Sequence, residues 1–417
     1  MSWSDFTIEP IDVWLFRDGR PFSAGSDVWA RSLPMPSAFT LLGALRTFFL
    51  TQAGISPKDF YEGNIPWTLK AQWGGPGADP GQFRLRGPFW YRNGHLYFPT
   101  PADLVRIQGK LQRLQPLSPS NLNLLHTNLP SNPSLLWAKS PHAVESEGGY
   151  LSHGDFEKYL RLEAQSDDGL ESLEPLSLQA FLERERRTGI KIGQGRTVEE
   201  GFLYQVEFVR LKEGVQLYGS AWLPNGTQPT DGLLFLGGER RMGALRWNLS
   251  SAQSDPKAPT LDRLLENFRT TAKAYERVKV ILLSPAYFSA GWQPEDWGVI
   301  GLSGWRLVAA AVPRLIPIGF LKKKKRQSAR ENEPKGERVE ILQRRLYCVP
   351  PGSVYFFERA QPNSEFPEAF TEEPSADALR ATQAAEKKAA PSSEELASLP
   401  LRKLGFGLYA TSTWNYA

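Results

Sequence analysis

The segment from Ile11 to Phe49, IDVWLFRDGRPFSAGSDVWARSLPMPSAFTLLGALRTFF, constrains the fold more than any other. It opens as a strand, with Phe6, Ile8, Ile11, Val13 and Leu15 as the apolar positions of a β-branched and aromatic run. Asp18-Gly19 ends that strand in a turn, and a polar loop with Pro34 and Pro36 follows. Ser37 then caps a helix whose apolar face is Phe39, Leu41, Leu42, Leu45, Phe48 and Phe49. Arg17, Arg20 and Arg31 lie in the connection and Arg46 on the helix. Three loop arginines beside a capped helix end, whose free N–H groups favour an anion, form a candidate phosphate grip.

These residues also carry a family likeness. Arg17-Asp18-Gly19-Arg20-Pro21-Phe22, then Pro36-Ser37, then Gly43-Ala44-Leu45-Arg46, resembles the opening of the third-subunit family of the type III-B CRISPR (Cmr) effector, part of the RAMP superfamily. The resemblance implies an α+β protein of two ferredoxin-like (RNA-recognition-like) RAMP domains with long insertions.

Length and order of elements suit that expectation. A chain of 417 residues is too long for one ordinary core, so two domains are expected. Asn93-Gly94 joins two short strands, Phe89 to Arg92 and His95 to Phe98, in a hairpin. Strand, helix, strand, strand is the first part of a ferredoxin-like unit. Ile55 to Pro88 reads as loop, and 100–180 as an insertion with short helices. Ser177 to Arg186 reads as a further helix. The alternating strand Phe202 to Leu211 is expected to complete the first domain, 1–213.

Domain 214–417 begins with loop and short strand to Pro229, then a strand at Leu233 to Leu236. It continues with a helix over Leu261 to Val278 and strands at Val278 to Leu283, Trp305 to Val312 and Val354 to Phe357. Between Lys322 and Arg345 ten Lys or Arg stand against four Glu, starting with KKKKR, and read as a solvated basic loop. The Ala-, Glu-, Ser- and Pro-rich stretch 359–400 has the composition of a surface helix or mobile loop.

Glycine meets arginine at two more corners. One is 185–196, with Arg186, Arg187, Lys191 and Arg196 around Gly189, Gly193 and Gly195. The other is Gly237-Gly238-Glu239-Arg240-Arg241. A salt bridge or capped turn would explain any one of these; three point to a shared anionic ligand. Leu404-Gly405-Phe406-Gly407-Leu408 is similar to the glycine-rich loop near the C-terminus of RAMP proteins, which implies close approach of RNA at Gly405 and Gly407. Thirteen tryptophans offer stacking on unpaired bases, although Trp14, Trp222 and Trp305 sit in strand patterns and read as core.

Catalytic constellations are scarce. The four histidines, His95, His126, His142 and His153, lack metal-ligand spacing, and the single cysteine, Cys348, excludes a disulfide or multi-cysteine zinc site. No nucleotide fingerprint or nucleophile elbow is present. The net charge of +4 permits a polyanionic partner without requiring one. The absence of a signal-like N-terminus or a long apolar run predicts a cytoplasmic protein.

The resemblance implies a non-catalytic subunit without cofactors that holds the 5′ repeat-derived tag of a guide RNA. It would join the large polymerase-like subunit to the repeated RAMP backbone subunits. Two alternatives stay open. One is a metal-independent endoribonuclease using His142 or His153; the other is a protein-only scaffold whose arginines pair with acidic neighbours.

Overall fold

A computed structural model describes residues 3–17, 29–122, 134–138, 140–162, 169–192, 198–247, 260–269, 275–326, 338–372 and 400–416. Its frame is two antiparallel sheets. In spatial order the first runs Tyr150–Ser152, His95–Pro99, Arg84–Arg92, Val215–Trp222, Ser4–Pro10, Met242–Trp247 and Gly232–Phe235. The second runs Trp305–Ala311, Val354–Arg359, Arg277–Leu282 and Tyr409–Thr413.

One threading order recurs. With Ser4–Pro10, Arg84–Arg92, Val215–Trp222 and Met242–Trp247 numbered one to four along the chain, the first sheet places them side by side in the order four, one, three, two. The four strands of the second sheet repeat that order. It is the strand order of a βαββαβ unit, in which each crossover skips one strand. Helix Ala38–Gln52 supplies the first crossover, with Ser37 accepting from the Thr40 N–H as its cap. The crossover between Leu282 and Trp305 carries only the short 3-10 turn Trp297–Ile300 instead of an α-helix.

Several local expectations change. Val215–Trp222, expected as loop and short strand, is an eight-residue strand central to the first sheet, because its apolar residues are buried on both faces. The first sheet therefore continues to Trp247, beyond the division expected at 213/214. Val198–Leu211, the strand expected to complete the first domain, instead pairs with Leu182–Ile192 and with the two residues Trp29–Ala30 in a separate sheet. The helix expected over 177–186 is only the 3-10 turn Leu178–Ala180, since alternation takes over at Leu182. Pro57–Glu62 and Trp67–Trp73 are short helices within the stretch read as loop, the first of them capped by Ser56. KKKKR is not loop: it ends strand Ile316–Arg326, paired in register with Arg338–Cys348. Residues 327–337 and 373–399 of the two biased segments lie outside the described residues.

A shared core holds the two sheets together. Phe89, Phe98 and Tyr218 of the first pack in one cluster with Ile281, Val354 and Phe356 of the second. Helix Leu261–Arg269 inserts Leu261, Leu264, Leu265 and Phe268 into the same cluster. On the other face of the first sheet, Phe6, Ile8, Leu85 and Leu217 meet Leu41, Leu42, Leu45 and Phe49 of the capped helix. Trp14 and Trp305 are buried, as their strand patterns predict.

Candidate nucleic-acid interface

After Pro10 the chain stays extended and divides its side chains by period two. Trp14 and Phe16 enter the main core, while Val13 and Leu15 join Ala30, Val206 and Phe208 in a small separate cluster. Trp14 exchanges both backbone bonds with Val209, at 2.9 and 2.8 Å. The Phe16 N–H donates to Ser32 Oγ at 2.9 Å, and its carbonyl accepts from Leu33 N–H at 2.7 Å. The Gly238 N–H donates to the Leu15 carbonyl at 2.7 Å. Gly237 sits at φ +85°, where a Cβ would come within 2.6 Å of that same carbonyl. Only glycine fits there. The loop after the first strand, the 182–211 hairpin and the 237–241 turn thus meet at one corner.

Charge collects at this corner on both faces of the hairpin. On one face Asp12 accepts from Arg187 at 3.2 Å and Arg210 at 2.9 Å, and lies 3.5 Å from Arg241. Glu185 accepts from Arg187 at 2.6 Å and from Arg210 at 2.8 Å. Two guanidiniums lie over the Phe208 ring, Arg187 at 5.0 Å and Arg241 at 4.8 Å. On the opposite face Glu207 pairs with Arg184 and, at 3.9 Å, with Arg186, while Arg184 donates to the Ser32 carbonyl at 2.9 Å.

Hydrogen bonds from Arg210 and Arg187 hold the Glu185 carboxyl below its usual range. Burial pushes Asp12 up, but the same two arginines outweigh it and leave Asp12 lowered. Pairs this exposed contribute little to stability.

The structure sorts the expected RNA contacts. Arg17 and Arg31 are exposed and flank the corner, with Arg17 bridged to Ser32. Arg186, Arg187 and Arg241 lie within it, and Arg240 projects beside Phe235, 5.8 Å from the ring. Arg20 and Arg196 lie outside the described residues, as does the side chain of Lys191.

Arg46 is not at this surface. It is buried, and its guanidinium donates to the carbonyls of Gly75 at 2.8 Å, Asp79 at 2.9 Å and Gly77 at 2.9 Å. Burial lowers it to about 10, so it stays charged while tying down that loop. Gly405 and Gly407 also make room for protein. A Cβ on Gly405 would lie 2.6 Å from the Leu85 carbonyl, and one on Gly407 would lie 2.7 Å from the Phe370 carbonyl carbon.

Ser37 and Gly405 share instead the wall of a cleft of about 1190 Å³ that draws on both sheets. Its lining is largely apolar and rich in proline and glycine, and Glu147 is its one charged residue among the described residues. Arg31 and Ser37 are six residues apart, so one short segment runs from the arginine corner to the cleft.

Asp12, Arg184, Phe208 and Arg210 were not among the expected contacts. Reading 182–192 as a strand would have found the hairpin pair, because Arg184 and Arg186 then share a face. Nothing in the sequence brings Asp12 to Arg210.

The described histidines belong to other elements than this corner. His142 is exposed and 2.9 Å from Gln108 Nε2. His153 stacks on His95 at 5.3 Å, and its Nδ1 is buried without a partner among the described residues. His126 lies outside the described residues. Among the described residues no three His, Cys, Asp or Glu side chains are grouped to hold a metal ion. No described helix is long and apolar enough to cross a membrane.

Mostly antiparallel sheets with few helices, carrying an arginine-lined corner, define an α+β protein. The family model for "CRISPR-associated protein (Cas_Cmr3)" matches residues 6–414. The chain belongs to that family, and is a subunit of a type III-B CRISPR effector complex.

Solved structures to which this chain shows a likeness include a chain of the type III-B Cmr-beta complex bound to cognate target RNA and AMPPnP. It is 16% identical, covers 84% of this chain and 86% of its own, and has a TM-score of 0.41. A chain of the Csm3-Csm4 subcomplex of the type III-A interference complex is 11% identical, covers 85% and 94%, and has a TM-score of 0.31. Among curated proteins none matches.

Proposed function

We propose that this subunit is a non-catalytic holder of guide RNA. In this reading it grips the 5′ repeat-derived tag and joins the large polymerase-like subunit to the RAMP backbone. The observation that carries it is the convergence of three arginine-bearing segments, distant in sequence, on the corner around Asp12 and Phe208. Phosphates displace carboxylates from exposed guanidiniums at small cost, and backbone contacts of this kind position RNA without reading its sequence. Phe208 is buried beneath two of those guanidiniums and orients them.

The test is binding of a labelled tag RNA over a salt series, by the subunit alone and with its large partner. Arg17→Ala/Arg31→Ala and Arg186→Ala/Arg187→Ala are compared with wild type. For every phosphate that a variant no longer neutralises, the log–log salt slope should flatten by roughly 0.7. Unchanged slopes in both double variants reject the grip, and shortened RNA at the end of the assay would install a nuclease in its place.

A further inference from the structure

The strand Gly232–Phe235 is at an edge of the first sheet, yet its composition is that of an interior strand. Its sequence, GLLF, is apolar on both faces. The inner face is satisfied, because Leu234 is 2% exposed and Gly232 lies under the Phe48 ring of the capped helix. The outer face is not. Leu233 is 55% exposed and Phe235 is 50% exposed. Met242 and Ala244, their partners on the neighbouring strand, are half-buried and extend the apolar row. Ile11, also exposed, donates its N–H to the Met242 carbonyl at 3.1 Å and continues it.

Among the described residues the strand edge is open as well. The bond from Leu236 N–H to the Arg241 carbonyl fixes the alternation, so the N–H and C=O groups of Leu233 and Phe235 point away from the sheet. No described strand pairs there. At the opposite edge Tyr150 exchanges both backbone bonds with Leu176, at 2.9 and 2.8 Å, and that side is closed. Proteins protect open edges with proline, lysine or a bulge; Gly232–Phe235 has none of these.

The adjoining turn adds a cation. Glu239 at φ +55° and Arg240 at φ +52° occupy two successive left-handed positions between Gly238 and Arg241, which are joined by a 3.3 Å bond. Asn-Gly suits such a turn; Glu-Arg is strained in it. The strain places Arg240 beside Phe235, at the end of the open edge.

We propose that this edge receives an extended protein strand, aliphatic on one face and carrying a carboxylate opposite Arg240. A peptide supplies the alternating donors and acceptors that the outward groups of Leu233 and Phe235 require. Its apolar side chains cover Leu233, Phe235 and Met242. An RNA backbone fits less well: Arg246 is 3.6 Å from Asp231, and Glu9 adds a further carboxylate on the same face. The inference stands on the sheet edge and not on the arginine corner.

The experiment uses the full chain co-expressed with the other subunits of its effector. Photoreactive benzoylphenylalanine replaces Phe235, and crosslinks in the assembled complex are mapped by mass spectrometry. A crosslink to a strand-length segment of another subunit bearing Asp or Glu is the expected result. In parallel Leu233→Lys and Arg240→Glu are each expected to lower incorporation of the chain at least tenfold. Both changes lie on exposed side chains, and the RNA salt slope of the Leu233→Lys variant should match wild type, which separates this surface from the RNA grip. A crosslink to RNA, a crosslink to a second copy of this chain, or no crosslink overturns the proposal. So does full incorporation of both variants.

Discussion

Lys279 Nζ lies 2.6 Å from Asp103 Oδ2 and 2.6 Å from the Tyr159 hydroxyl, with the lysine and aspartate side chains at 1% and 0% exposure. The Tyr159 hydroxyl donates to Asp103 Oδ1 at 2.5 Å and closes the triangle. Lys279 belongs to the second sheet, Asp103 to the insertion after the first sheet's hairpin, and Tyr159 to helix His153–Arg161. The buried pair joins segments that nothing else in their local sequence would bring together.

Removing one member strands the other as a buried charge. Lys279→Met should cost about 3–5 kcal/mol, and Lys279→Met/Asp103→Leu should recover most of it. Denaturant unfolding of both variants decides this. Equal destabilisation in the single and double variants would show that the charges are solvated rather than paired.

Arg46 offers a direct contrast with the arginine corner. Its guanidinium satisfies the carbonyls of Gly75, Gly77 and Asp79. Arg46→Met leaves them without a donor and should lower stability by roughly 2–4 kcal/mol. The salt slope of RNA binding should not move. A flattened slope in a stably folded variant would return Arg46 to the RNA surface.

Gly405 tests the same distinction for a backbone position. Its φ of +72° and the 2.6 Å approach of the Leu85 carbonyl exclude a Cβ. Gly405→Ala should therefore cost about 2–3 kcal/mol by strain and displacement. Equilibrium unfolding would show it, and an alanine variant as stable as wild type would refute the packing account.

His153 makes stability depend on pH. Burial first, and His95 second, lower its imidazole below the usual 6.5. The unfolded chain then binds a proton that the folded chain resists, so stability is full above about 6.5 and falls as pH drops toward the folded value. His153→Phe keeps the stack on His95 and should remove this part of the slope. Unfolding free energies at three pH values between about 7.5 and 5.5 measure it, and an unchanged slope in the variant would locate the effect elsewhere.

Local chemistry made much of the frame legible. Ser37 fixed a helix start, Asn93-Gly94 fixed a hairpin with both residues at positive φ, alternation marked the strand at Phe202, and an apolar run marked the one at Trp305. Each of these depends on neighbours within a few residues, which is what a sequence displays. It also displayed a family signature between Arg17 and Arg46, before any fold was known.

Pairing partners were beyond it. Val215–Trp222 is apolar enough for any sheet, and only long-range register puts it between Arg84–Arg92 and Ser4–Pro10. A strand drawn to other partners sent Val198–Leu211 out of the main sheet. The same limit holds for the site. Arginines and glycines were visible one by one, but whether each meets solvent, a carboxylate or a buried carbonyl is fixed by segments far away in sequence. Arg46 went to carbonyls, Arg187 and Arg241 went to Asp12 and Phe208, and only the assembled sheets made that choice.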